Sequence, residues 1–369
     1  MERLSGQLRG RRALLLLAAA LALSGVLGGL ARVGVAVSFG PSMAVAHGPL
    51  LVLGVFGAVI SLERAVALGR GWAFVAPALA TVGAVAAALG LSGSAWVLAS
   101  SCAVMVLVNA AVVRRQAAAF TWLMLLGSLL LFGGAWAWAA GAPVSAVTPA
   151  WLGFFVLTIV AERLELSRLA PTPRWASRAL WMLSVVFAAA AFAQGWWPTV
   201  AAPVFGACLV LLGAWQLRFD LARRTARLAG VPRFTAAGVL SGAAWLVVTG
   251  VVLLARGAPP AGPVADAVLH GVFVGYVLSM VFAHALVILP AVARVAVPYH
   301  PLLFAPLVLL HGGLVVRVVG DLAALPAVRQ VGAVLNALAL ALFVVAVVAA
   351  RWLTARPVAP RPRPVTDAP

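Results

Sequence analysis

Residues 269–290 read LHGVFVGYVLSMVFAHALVILP. The run contains no Asp, Glu, Lys or Arg, and its polar side chains are two histidines, one tyrosine and one serine. About 20 apolar residues in helical form, rising about 1.5 Å each, cross the hydrocarbon core of a bilayer. Such a run closes its own backbone hydrogen bonds in lipid, which an isolated strand cannot do. Comparable runs recur along the chain, and a window of about 20 residues predicts spans at 13–34, 43–66, 72–90, 95–113, 118–140, 148–166, 178–194, 198–217, 234–255, 264–289, 301–323 and 328–352. The fold class expected is all-α: a polytopic membrane bundle of about 12 transmembrane helices. The alternating ten-residue pattern of an outer-membrane barrel is missing.

Composition agrees. The chain has 369 residues, 64% hydrophobic and 9% charged, with mean hydropathy +1.12. Soluble domains carry about 25% charged residues, and a water-soluble fold this apolar could not cover its outside. All 26 basic residues are arginine, giving a net charge of +18. In a soluble protein that charge points to nucleic acid. Here the arginines flank apolar runs and read as topology signals, so the expected partner is the lipid bilayer and not nucleic acid. Cys102 and Cys208 lie far apart inside apolar runs, without C-x-x-C spacing, and read as small core residues.

The arginines also set orientation. With the N-terminus inside, the clusters around Arg9–Arg12, Arg64–Arg70, Arg114–Arg115, Arg163–Arg178, Arg218–Arg233 and Arg351–Arg363 all face the cytoplasm, and so does Arg294. Arg32, Arg256, Arg317 and Arg329 face outward. The bias supports an even number of spans, N-in and C-in, in a bacterial cytoplasmic (inner) membrane. The organisation expected is a transmembrane domain over 1–355 and a Pro-rich, disordered cytoplasmic tail over 356–369. The first apolar run is long and another follows at once, so it reads as an anchor and not a cleaved signal.

Ionisable residues inside a membrane are costly and mark function. The chain has five histidines, His47, His270, His284, His300 and His311. His47 and His270 fall about 6 and 9 Å below the same outer surface, at about 1.5 Å per residue. Two imidazoles at one depth are suited to the axial positions of a non-covalent b-type haem; the alternative is two unrelated histidines, each bonded to a carbonyl. Glycine follows His47, His270 and His311, which suits close approach of a flat ligand or of a helix. His270 and His284 are 14 residues apart and share a face at about 100° per residue. His284 and His311 differ in depth, so they are candidates only for a secondary metal or haem position, and one haem site is favoured over two. The acidic groups Glu63, Glu162 and Glu165 stand beside Arg64 and Arg163 and read as ion-pair clasps. Asp266, Asp321 and Arg317 gather near the outer ends of spans 10 and 11, placed to hold haem propionates or to pair with each other. The tryptophans Trp72, Trp96, Trp151, Trp196, Trp197 and Trp352 read as an interfacial belt.

The segments AVAHGPLLVLGVFGAVISLERA and LHGVFVGYVLSMVFAHALVILPAVARV resemble the NnrS family, which is distantly similar to the catalytic subunit of haem-copper oxidases. The resemblance rests on His47 with Gly54 and on His270 with Gly275, and covers some sixty residues together with the number of spans. It implies haem, with or without copper, and a link to nitrogen-oxide stress or redox relay. It carries His47 and His270 over as ligands, and His284 less firmly. Spans 6 and 7 contain no histidine, where the oxidases place copper ligands, so reduction of oxygen or nitric oxide at a binuclear centre is not expected. In the oxidase plan of three four-helix arcs, spans 2, 6 and 10 are equivalent, and here they end in LERAV, AERLE and AVARV. The rival reading is a cofactor-free transporter or permease for a small substrate, with His311 and Asn109 as the polar groups at mid-membrane.

The orientation is open to direct measurement. A fluorescent reporter fused at the C-terminus is expected to emit and alkaline phosphatase fused there to be inactive, with both results reversed for fusions after Arg256. The opposite pattern overturns the N-in/C-in assignment.

Overall fold

Turn chemistry sets the helix boundaries. Pro198, Pro263, Pro301 and Pro326 stand at helix starts, where the backbone N–H that proline lacks would have no partner. Gly69 ends a helix in the left-handed conformation, at φ 66. In a computed structural model, which describes residues 2–37, 41–169 and 172–354, these signals divide the chain into twelve helices long and apolar enough to cross a membrane. They are α1 (Leu8–Arg32), α2 (Met43–Leu68), α3 (Gly71–Ala88), α4 (Ser94–Arg115), α5 (Ala119–Ala139), α6 (Val144–Leu169), α7 (Arg174–Ala193), α8 (Pro198–Phe219), α9 (Val231–Arg256), α10 (Pro263–Ala293), α11 (Pro301–Leu322) and α12 (Pro326–Thr354). No strand occurs among the described residues. The protein is an all-α polytopic membrane bundle. The expected tail, 356–369, lies outside the described residues.

Short links make sequence neighbours into spatial neighbours, so most consecutive helices pack as antiparallel pairs. Two helices are central: α6 has 78% of its apolar window buried and α10 has 61%, against 22% for α1 and 33% for α12. Phe155 of α6 marks the middle. Its ring meets Phe56 of α2 edge-on at 5.4 Å and Phe273 of α10 at 5.6 Å. Helices α2, α6 and α10 therefore converge on one aromatic junction. Trp151 departs from the expected interfacial belt. It is 1% exposed, packed edge-on against Trp138, because it enters the buried helix α6 rather than a lipid-facing one.

Two helices are not regular. α2 widens into a π-helix over Leu50–Phe56 and α10 does so over Gly271–Leu278. In α2 the cause is local: Pro49 has no N–H and crowds the preceding turn, and a wider turn relieves both. In α10 the glycines let α9 press close. A side chain at Gly271 would collide with Thr249, and one at Gly275 with Trp245. Each π segment begins within three residues of a histidine, and π turns are frequent at functional sites.

α11 and α12 form the tightest hairpin. A β-carbon on Gly320 would strike the backbone of Arg329, and one on Gly332 the backbone of Arg317. Small residues allow this approach, and the approach fixes Arg317 in place. Replacing Gly332 by valine is expected to lower stability by about 1–3 kcal/mol through overpacking. Thermal unfolding in detergent measures it, and an unshifted transition would contradict the close packing.

Candidate functional site

The structure brings His47 and His270 together. Their ring centroids are 6.4 Å apart and their planes are inclined by 15°. Each ring is held by one nitrogen. His47 Nδ1 donates to the carbonyl of Gly25 at 2.7 Å, and His270 Nδ1 donates to the carbonyl of Asp266 at 2.9 Å. A carbonyl only accepts, so Nδ1 carries the proton in both rings and the lone pair lies on Nε2. Neither Nε2 has a hydrogen-bond partner among the described residues.

Helix α1 shapes the His47 side. Gly25 supplies the carbonyl, and Gly29 lies flat against the ring, where a β-carbon would come 2.6 Å from His47 Cε1. Of the three glycines that follow histidines, only Gly271 serves helix packing. A β-carbon on Gly48 or Gly312 would meet nothing within 4 Å.

Behind His270 stands a charged pair. Asp266 Oδ1 is 3.3 Å from His270 Nδ1, and Arg317 grips the same carboxylate with Nε–Oδ2 at 2.8 Å and Nη2–Oδ1 at 3.0 Å. The pairing expected between Asp266 and Arg317 is present. Asp321, one turn beyond Arg317, is buried with Arg329 Nε at 3.9 Å, too far for a hydrogen bond. Arg32 bonds the carbonyl of Ala44, in the first turns of α2, at 3.3 Å.

A fit test for a metal held between the rings uses the centroid distance. Two imidazole nitrogens on opposite sides of one metal, with bonds of about 2 Å and about 1 Å more from each nitrogen to its ring centre, separate the centroids by about 6 Å. The observed 6.4 Å meets that requirement, the tautomers present the correct nitrogens, and both rings are oriented by carbonyl acceptors, as metal-bound histidines are.

The other histidines belong to separate sets. His284 Nδ1 donates to the Met280 carbonyl at 2.8 Å, and its Nε2 accepts from Arg163 Nη2 at 3.1 Å. His311 Nδ1 accepts from Trp245 Nε1 at 3.0 Å, so its Nε2 is protonated and meets Ser241 Oγ at 2.8 Å. Both nitrogens of each ring are engaged. The face-sharing expected for His270 and His284 does not carry through: the π segment breaks the 100° rule, and the rings meet α2 and α6 respectively. His300 lies at the start of α11, where its Nδ1 accepts from the N–H of Leu302.

A second polar cluster pins the far ends of the central helices. Arg64 of α2 bridges to Glu162 of α6 at 2.7 Å, the clasp expected from sequence. Buried Arg163 reaches His284 of α10 and, at 3.8 Å, Asp220 just past α8. Gln216 of α8 and Tyr276 of α10 exchange hydrogen bonds nearby, at 3.0 and 3.2 Å. Asp220, Gln216 and Tyr276 carried no signal in the sequence reading, because their roles appear only when α8 meets α10.

A family model described as a domain of unknown function (DUF8744) matches residues 11–352. No curated protein matches the chain.

Arg163 and Asp220 generate a test. Burial pushes the Asp220 carboxyl above its ordinary value of 3.8, while Arg163 and the Ala222 N–H pull it back. The fold thus favours the protonated acid, and stability falls as pH rises from about 3.8 through the raised folded value. Arg163→Met removes the opposing charge. It is expected to cost about 3–5 kcal/mol at neutral pH and to steepen that fall, with Asp220→Asn in the same chain restoring part of the loss. Thermal unfolding across pH is the measurement, and a pH-independent loss would contradict it.

Proposed function

We propose that this chain, which belongs to the DUF8744 family, is a haem-binding protein of the bacterial cytoplasmic membrane, with both termini inside and one b-type haem held by His47 and His270. The observation that carries this reading is the facing pair of imidazoles 6.4 Å apart, each with Nδ1 spent on a carbonyl. Arg32 supports it, as a cation at the first turns of α2 suited to a propionate carboxylate. The meeting of α2, α6 and α10 around Phe155 suits the NnrS-like, oxidase-like plan.

Haem at this place supplies a centre that takes up and gives back one electron. His47 and His270 would both be committed to holding the iron. The residues therefore favour a redox relay, coupled to nitrogen-oxide stress by resemblance, over reduction of a small molecule at the iron. The proposal is confined to the one site. His284 and His311 have both ring nitrogens engaged, and copper is left out because the described residues contain no group of three His, Cys, Asp or Glu side chains arranged to hold it.

Protein purified after expression with haem supply is expected to show a Soret band and about one haem per chain by pyridine haemochrome. His47→Ala and His270→Ala are each expected to lose most of that haem while keeping the elution profile of the folded bundle. Absence of haem from the native chain, or an unchanged spectrum in both variants, would sink the proposal. Uptake of a small solute by vesicles containing the haem-free protein would favour the permease instead.

A further inference from the structure

We infer that Asp266 is a positioning residue that sets the reduction potential of the paired-histidine centre, acting through the Nδ1–H of His270, with Arg317 as its counterweight. This rests on the haem-binding reading above.

The two ligands differ in what stands behind them. His47 donates to a neutral carbonyl, that of Gly25. His270 donates its Nδ1–H to the Asp266 carbonyl at 2.9 Å, and the carboxylate oxygen Oδ1 of the same residue stands 3.3 Å from Nδ1 as a charge contact. The arrangement is built into the helix, because Asp266 precedes His270 by four residues and so lies one turn away on the same face. A carboxylate 3.3 Å away adds its field to the pull of the carbonyl on the Nδ1 proton. The imidazole becomes more electron-rich, and a more electron-rich ligand would stabilise the oxidised metal. Asp266 therefore lowers the potential.

Arg317 limits the effect. Its fork binds both carboxylate oxygens, at 2.8 and 3.0 Å, while Oδ1 also lies 3.3 Å from His270 Nδ1. The guanidinium offsets the charge of the carboxylate and fixes it in place beside the ring. Arg317 is in turn fixed by the close passage of Gly332 across its backbone. Lysine in its place would keep the charge and lose the fork. In the titration the electrode would supply the one electron and no covalent bond would form or break, so the pair would act through its field alone.

The test is a spectroelectrochemical titration of the purified haem-loaded protein. Asp266→Asn removes the anion and is expected to raise the ratio of reduced to oxidised haem at fixed potential by about tenfold, or ~59 mV for one electron. Arg317→Gln leaves the carboxylate undrained and is expected to shift the ratio in the opposite direction. Asp266→Glu keeps a carboxylate and is expected to lie between Asp266→Asn and the native chain. Should Arg317→Gln fail to fold, Asp266→Asn and Asp266→Glu decide the matter. Haem retained with an unmoved potential in Asp266→Asn overturns this inference and leaves the haem reading standing. Loss of haem from Asp266→Asn also overturns it, by showing a purely structural role. Absence of haem from the native protein overturns both.

Discussion

An imidazole inside an apolar bundle has two ring nitrogens, and each must find a partner or carry a cost in free energy. At His284 and His311 the protein meets that demand in full with its own side chains and carbonyls. At His47 and His270 it meets half of it. Both Nδ1 atoms donate to carbonyls, which leaves a lone pair on each Nε2, and the two rings lie 6.4 Å apart. Much of the surrounding structure is arranged around that fact. Gly25 and Gly29 of α1 hold one ring, and Asp266 with Arg317 backs the other. The π segment of α10 begins at the residue after His270, and that of α2 begins three residues after His47.

The bundle carries its polar groups in two layers tied to the same central helices. At the paired-histidine end, Asp266 and Arg317 lock α10 to α11. At the arginine-rich end, Arg64–Glu162 locks α2 to α6, and Arg163 links α6 to α10 and to the end of α8. Buried ion pairs of this kind add little net stability against well-packed apolar residues, because desolvation offsets attraction. They do penalise any other register, since a slipped helix would leave a charge alone in a low-dielectric setting. Between the layers, Phe56, Phe155 and Phe273 fill the middle without any polar group of their own. The helices are thus indexed at both ends and packed by contact at the centre, which is what holding two rings in a set relation requires.

The span pattern was legible because lipid imposes one rule on every segment, and each of the twelve expected runs overlaps an observed helix with ends that differ by a few residues. The common depth of His47 and His270 was legible for the same reason, since depth is simple arithmetic along a helix. What depends on packing between distant segments was not. Trp151 resembles its neighbours in the aromatic set, yet lies in the core because α6 is the central helix. The π segment of α10 arises where Thr249 and Trp245 of α9 press against Gly271 and Gly275, and it invalidates the regular-helix phase between His270 and His284. The trough of Gly25 and Gly29 had a visible trace, small residues at helical spacing in α1. Its purpose appears only when His47 is seen lying in it.

The central claim is that the two imidazoles share one metal between their Nε2 atoms. Electron paramagnetic resonance of the oxidised, haem-loaded protein, with and without nitrogen-15 histidine, reports on it most directly. The account predicts a low-spin signal coupled to two histidine nitrogens, of the rhombic type that near-parallel ligand planes produce. A high-spin signal, or coupling to a single histidine nitrogen, would contradict it.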